Sequence, residues 1–418
     1  MGSVIADRSL APAGRDRIAW AHAQMPVLAS VGERFARERP FDGLRVAACL
    51  HVTAETAGLM RVLMAGGAQV ALCAANPLAT QDAVAAALVA DDGVEVRARR
   101  GEDGTAYRAH IDALVAAGPH LALDDGAELI GGMHAGGDTG HLVGATEETT
   151  TGLVRLRALA AQDGLPCPVV AVNEARAERA FNDRYGTGQS TLDGILRATN
   201  LLLAGRTVVV LGYGWTGRGV AQRARGLGAS VVVCEVEAMP ALEARMEGFS
   251  VMPALEAARH GEVFITVTGG RDALRAEHFE RMRDGAVLAN AGHFDVEIDL
   301  HGLRELAHGR VREVRPLVEQ YEVGTHPARR LNLLARGRVV NLAAAEGHPA
   351  AVMDVSFALQ ALAAEHLART QGTLDAGIHP VPVAIDEEVA RLKLASLDVE
   401  IDTLSEEQRS YQRAFRQE

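Results

Sequence analysis

The chain has 418 residues, 48% of them hydrophobic and 23% charged, with a formal net charge of −12. That composition supports two or three globular domains with their own cores, and the acidic balance argues against a nucleic-acid partner, which calls for a basic face. No apolar run approaches membrane-spanning length, the start has neither a basic-then-apolar leader nor Ser or Thr at position 6 after Gly2, and Cys49, Cys73, Cys167 and Cys234 lack CxxC spacing, so buried thiols in a cytoplasmic, reducing setting are expected.

In chain order, apolar runs at 44–50, 69–75, 121–123 and 169–172 each stop at polar residues: His51, Asn76, Asp124-Asp125 and Asn173. Such punctuation fits a parallel sheet whose ligand crevice lies beyond the carboxyl ends of its strands. The Gly/Asp-rich stretch 131–141 reads as a surface loop, and residues 190–204, ending at Gly205, as an amphipathic helix leading into a second domain. There, apolar residues 207–211 enter Gly212-x-Gly214-x-x-Gly217, and a second apolar run at 230–234 ends at Glu235, about 20 residues on. The glycines permit a tight turn, close approach to a pyrophosphate and helix-on-strand packing. The acid suits two ribose hydroxyls and repels a 2′-phosphate, which favours NAD over NADP. Residues 263–267, 286–289 and 339–342 read as further strands, and 353–367 as a helix returning to the first domain as a hinge. After a linker, His379-Pro-Val-Pro382, small helices are expected at 385–394 and 406–415, the second opened by a Thr403-x-x-Glu406 capping box. The fold class is therefore α/β: two doubly wound parallel-sheet domains with a small C-terminal helical segment. Residues 1–180 plus 347–385 form a substrate domain, 186–343 a Rossmann NAD domain and 386–418 the helical segment.

Several landmarks resemble the S-adenosylhomocysteine hydrolase family: Leu50-His-Val-Thr-Ala-Glu-Thr56, Thr80-Gln-Asp82, Leu123-Asp-Asp-Gly126, Glu147-Glu-Thr-Thr-Thr-Gly152, Tyr185-Gly-Thr-Gly-Gln-Ser190, Gly292-His-Phe-Asp-Val-Glu-Ile-Asp299, Asn341-Leu342 and Gly347-His-Pro349. The wording is most similar to the short archaeal and thermophile branch. The resemblance implies a homotetramer with tightly bound NAD, which oxidises the 3′-hydroxyl of an adenine nucleoside so that the 4′ proton becomes acidic and the 5′ substituent leaves. It implies Asp125 as the 4′ base, His51 and His293 as proton shuttles, and Glu148 on the sugar hydroxyls. Thr53, Glu55 and Gln81 would contact substrate, the first two at the purine edge, with His348 closing over the base. Thr149, Thr150, Thr151, Asp183, Asn341 and Glu235 would join Gly212, Gly214 and Gly217 in holding NAD. His293-Phe294 matches the family's gate to solvent. His22, His110, His120, His260 and His278 read as surface or supporting groups, and with no zinc spacing no metal is expected. Thr149–151 also suit the cap of a helix starting near Gly152.

The pattern breaks after Asn173. The family's catalytic Lys falls on Glu178, its Asp on Asn182 and its NAD-contacting Asn on Asp183, while Ala79 replaces the Ser before Thr80. Lys plus Asp, net zero, has become Glu plus Asn, net −1, with Arg176 and Arg179 as nearby cations. Glu178 can act as a base when ionised, and Asn182 removes a like charge beside it. Three readings follow: a decayed site, a hydrolase with a rewired proton relay, or a paralogue expelling another group. The third is favoured here, on the expectation that Ala79 lies beside the amino-acid tail. Its simplest form is a dehydratase expelling water to leave an exocyclic enol ether.

Overall fold

The computed structural model describes residues 2–136, 139–162, 164–324 and 328–413. Among them, a seven-stranded sheet runs in the order Ile378–Pro380, Val169–Ala171, Gly144–Glu147, Leu121–Asp124, Arg45–Leu50, Gln69–Ala74, Glu95–Arg97, every neighbouring pair parallel. Helices cover it on both faces, so its central strands are buried almost throughout, as all-parallel sheets require. The edge strand Ile378–Pro380 occupies the stretch expected to be a linker. Pro380 is tolerated there because an edge strand can leave one side unpaired.

An eight-stranded sheet forms the second domain, in the order Val311–Arg315, Val318–Val323, Arg329–Leu334, Val287–Asn290, Val263–Thr266, Thr207–Leu211, Ser230–Cys234, Ser250–Val251. Val208, Val209 and Val210 are fully buried, matching β-branched side chains to both covered faces. The first three strands of that order are antiparallel and escaped the sequence reading, because their burial alternates with charged residues. They displace the strand expected at 339–342, where the chain instead makes a short helix, Val340–Ala343, after a single bridge from Val339 to Asn290. Residues 131–136, expected as loop, belong to the helix Glu128–Gly136. The helix into the second domain is Gly188–Thr199, stopped by Asn200 in the left-handed conformation at φ 54° rather than by Gly205. At the C-terminus, the helices are Val383–Ser396 and Glu406–Arg413. The reciprocal cap of the second is made by Ser405 and Gln408, not Thr403 and Glu406; the expected extension over residues 414–415 lies outside the described residues.

In each sheet the strand order reverses beside one central strand, Arg45–Leu50 in the first and Thr207–Leu211 in the second. Chains that turn in opposite directions leave a crevice at that point, beyond the carboxyl ends of the strands. The helix Ala350–Arg369 returns to the first domain and is buried along most of its length in the core of that domain. Near its start, Asp354 is fully buried, accepting Leu28 N–H at 2.8 Å and Lys393 Nζ at 2.8 Å. Lys393→Met should strand that carboxylate and lower the unfolding free energy by about 3 kcal/mol. Adding Asp354→Asn should recover part of the loss, read as urea midpoints; equal midpoints for wild type and the single variant would contradict the pairing.

Candidate functional site

Both crevices open into one cavity of about 1150 Å³, reaching from His51 and Asp125 on the first sheet to Gly212 and Glu235 on the second. His51 follows the strand Arg45–Leu50, and Asp125 follows its neighbour Leu121–Asp124. The His51 Nε2 to Asp125 Oδ2 distance is 3.3 Å, and His293 Nδ1 approaches Asp125 Oδ1 at 3.8 Å from the other domain. Burial lowers the His293 pKa, opposed by Asp125 and assisted by His51. His293 meets Phe294 edge-on at 4.7 Å between ring centres. Among the described residues, His51, Asp125 and His293 are one group whose ligand atoms converge within 4.8 Å, a spacing that also suits a proton relay.

Two doubled acids sit at adjacent strand ends. In each, the first residue holds backbone and the second faces the cavity, since successive strand side chains point to opposite faces. Asp124 accepts the N–H groups of Asp125 at 3.0 Å and Ile130 at 2.8 Å. Glu147 accepts those of Gly126, Ala127 and Thr149 at 2.8, 2.9 and 2.9 Å, and the Thr149 hydroxyl at 2.7 Å. Burial pushes Glu147 up to about 7, and Asp124 well above the usual carboxylate range. Both were missed as positioning residues; their signal in sequence is the repeated acid pair at two strand ends.

Glu148 is buried and accepts the Ser356 hydroxyl, which in turn accepts Asn182 Nδ2 at 3.2 Å. Ser356, on the returning helix, was also missed. Glu178 begins a π-helical stretch, Glu178–Thr187, of a kind found mostly at functional sites. Its carboxyl is 1% exposed, within hydrogen-bonding reach of Glu148 and Ser356 and beside Asp183. Burial, then the neighbouring Glu148 and Asp183 charges, raise Glu178 well above the carboxylate range. Glu148 rises for the same first reason, against the Ser356 hydrogen bond. Burial brings Asp183 up to about 7, with Arg179 and Asn173 pulling it down. The expected cation does not reach Glu178. Arg179 bonds Glu174 Oε1 at 3.1 Å, while Arg176 offers its backbone N–H to Asp386. The chain's single lysine, Lys393, is the partner of Asp354.

On the cofactor side, Gly212 has φ +100°, and a Cβ there would meet the Val267 carbonyl oxygen at 2.7 Å. A Cβ on Gly217 would collide with the Gly212 carbonyl, whereas one on Gly214 would point into open space. That opening faces the start of the helix Trp215–Gly226, where a pyrophosphate fits. Glu235 accepts Tyr213 N–H at 2.7 Å and Val236 N–H at 2.6 Å and keeps lone pairs for ribose hydroxyls. Asn341 donates to Ser190 Oγ at 3.2 Å and leaves its buried Oδ1 without a partner. Thr149 caps the helix Thr150–Gln162 through Gly152 N–H, Thr150 bonds Asn173 at 2.7 Å, and Thr151 lines the cavity. These residues fit NAD.

Thr53 caps the helix Ala54–Ala65, and Glu55, raised in pKa by burial, lines the cavity beside it. His348 bonds the Thr187 hydroxyl at 3.0 Å, and burial holds its pKa down at about 4, so it is neutral at pH 7. Gln81 and Ala79 line an adjoining space of about 380 Å³ that shares Thr53, Leu342 and Glu346 with this cavity, and the Ala79 carbonyl accepts Val52 N–H at 3.0 Å. His110 and His278, expected as surface or supporting groups, are buried and supporting, one paired with Glu102 at 3.0 Å and the other accepting Arg275 N–H. The four cysteines are free and buried.

Two family models match: that described as S-adenosyl-L-homocysteine hydrolase over residues 3–143, and its NAD binding domain over residues 183–347. The chain belongs to the adenosylhomocysteinase family. It is 54% identical to an adenosylhomocysteinase of Aquifex aeolicus over 97% of both chains, and 52% identical to one of Thermosynechococcus vestitus over 98% of this chain and 96% of the relative. An S-inosyl-L-homocysteine hydrolase of Methanopyrus kandleri is 51% identical over 98% and 97%. Family membership brings the NAD-binding domain with it, and among the described residues no helix is long and apolar enough to cross a membrane. Gly214→Ala should leave the melting temperature unchanged and weaken NAD retention at least about tenfold. Gly217→Ala should lower both, read by thermal melts and cofactor titration; full NAD retention in Gly214→Ala would contradict the assigned phosphate approach.

Proposed function

We propose that the chain is an NAD-dependent hydrolase of an adenine nucleoside thioether, acting through transient oxidation at the 3′ carbon and elimination at the 5′ carbon. The observation that carries this reading is the Asp125 carboxylate held between His51 and His293 where the two crevices meet. The glycine turn, Glu235, Asn341 and the threonines of 149–151 would hold NAD+, which would supply the oxidation that makes the 4′ proton acidic. Asp125 then takes that proton, and the imidazoles flanking it carry a proton to the departing 5′ sulfur and later take one from the attacking water. Burial, which lowers the His293 pKa, favours an imidazole there that can accept and pass on a proton without holding a full charge in advance. Glu148 holds the sugar hydroxyls, Thr53 and Glu55 meet the purine edge, and His348 closes over the base. His293 and Phe294 exclude water while the ketone is present.

Homocysteine as leaving group is supported by relatives named for that hydrolysis, more than half identical over nearly the whole chain. A second reading, dehydration of the nucleoside, is favoured by one observation, the exchange of a cation for Glu178 at the sugar end.

Incubation of the NAD-loaded protein with S-adenosylhomocysteine should release adenosine and homocysteine. Absence of homocysteine, with an adenine nucleoside losing the mass of water instead, would overturn the hydrolase reading in favour of dehydration. Asp125→Asn should cut turnover by at least about 100-fold and still let adenosine reduce the bound cofactor; loss of both together would contradict the role given to Asp125.

A further inference from the structure

The Glu178 carboxyl lies in a polar cluster that gives it no cation. Beside it stand Glu148 from a strand end, Asp183 from its own segment and Ser356 from the returning helix; Asp125 and Glu147 press in turn on Glu148, and Asn182 donates to Ser356. Arg179 is turned to Glu174 and Asp183, and the chain's single lysine is committed to Asp354. Ser356 has one hydroxyl hydrogen, which goes to Glu148, so nothing described donates to Glu178 Oε2 or to Glu148 Oε2. Two desolvated carboxylates in contact cannot both ionise; a proton between them relieves the repulsion and satisfies one empty lone pair.

We propose that Glu148 and Glu178 hold a single proton between them, and that the ionised member is the base that takes the proton of the nucleoside 3′-hydroxyl. In this step the O–H bond breaks toward the carboxylate. The C3′–H bond gives its hydrogen and electron pair to NAD+, and a C3′ ketone forms. The alcohol loses two electrons, and the cofactor gains them. The pair is left with two protons and no charge, and returns one when the ketone is reduced at the end of the cycle. A carboxyl pair thus replaces the family's ammonium, with Asn182 and Ser356 positioning it. The inference rests on the reaction proposed above and concerns its first step.

Two measurements test it. The first uses no substrate. A carboxyl pair whose folded pKa is raised favours the fold below the unfolded carboxylate pKa, and that contribution is lost as pH rises through the folded value. Glu178→Gln removes the repulsion at its source. Its melting temperature should therefore exceed that of wild type at pH 8, with the gap closing toward pH 5. A variant less stable than wild type at pH 8 would overturn the shared proton. The second follows reduced nicotinamide absorbance on mixing the NAD-loaded protein with adenosine. Glu178→Gln should slow reduction by at least about 100-fold, and Glu178→Asp should keep a measurable part. Reduction by Glu178→Gln at the wild-type rate would overturn the base role while leaving the proposed reaction standing. No reduction by wild type would instead defeat the proposed reaction, and the melting series would still decide whether the pair shares a proton.

Discussion

Desolvated negative charge is the constraint around which this site is organised. Asp124, Asp125, Glu147, Glu148, Glu178 and Asp183 crowd the same strand ends, all buried or largely so. Carboxylates tolerate such crowding only when each finds donors or a proton. Asp124 and Glu147 find backbone N–H groups, and in doing so fix the turn that carries Asp125. Glu148 finds Ser356, and Asp125 finds two imidazoles. Glu178 finds no cation among the described residues, and its Oε2 is buried without a partner.

The two-sheet architecture turns that crowding into chemistry. Each switch point opens at the carboxyl ends of its strands, and facing the two toward each other sets a dinucleotide turn against an acid-lined pocket. In the proposed reaction, a nucleoside in one crevice would meet a nicotinamide from the other, with water excluded by residues from both domains. The helix Ala350–Arg369 couples the parts, because it belongs to the core of the first domain and also delivers Ser356 to the acid pair.

Much of this was legible in the chain. Fully buried parallel strands announce themselves as short apolar runs, and their polar stops marked His51, Asp125 and Asn173. The glycine turn and Glu235 were readable because each follows directly on a short apolar strand at a fixed spacing. Where reading failed, the physical reasons differ. The antiparallel strands over 311–334 carry charged residues on an exposed face and so resemble loop. Ile378–Pro380 holds a proline that only an edge strand accepts. Asp124, Glu147 and Ser356 act by hydrogen bonds to backbone or to another side chain, and no spacing rule points at such partners.

The most direct test is a crystal structure with NAD and a bound adenine nucleoside. The account predicts the Glu178 carboxyl about 2.6–3.2 Å from the 3′-oxygen, still in contact with Glu148, and Asp125 facing the 4′ carbon. A Glu178 turned away from the sugar, with Arg179 or an ordered water at the 3′-oxygen in its place, would contradict it.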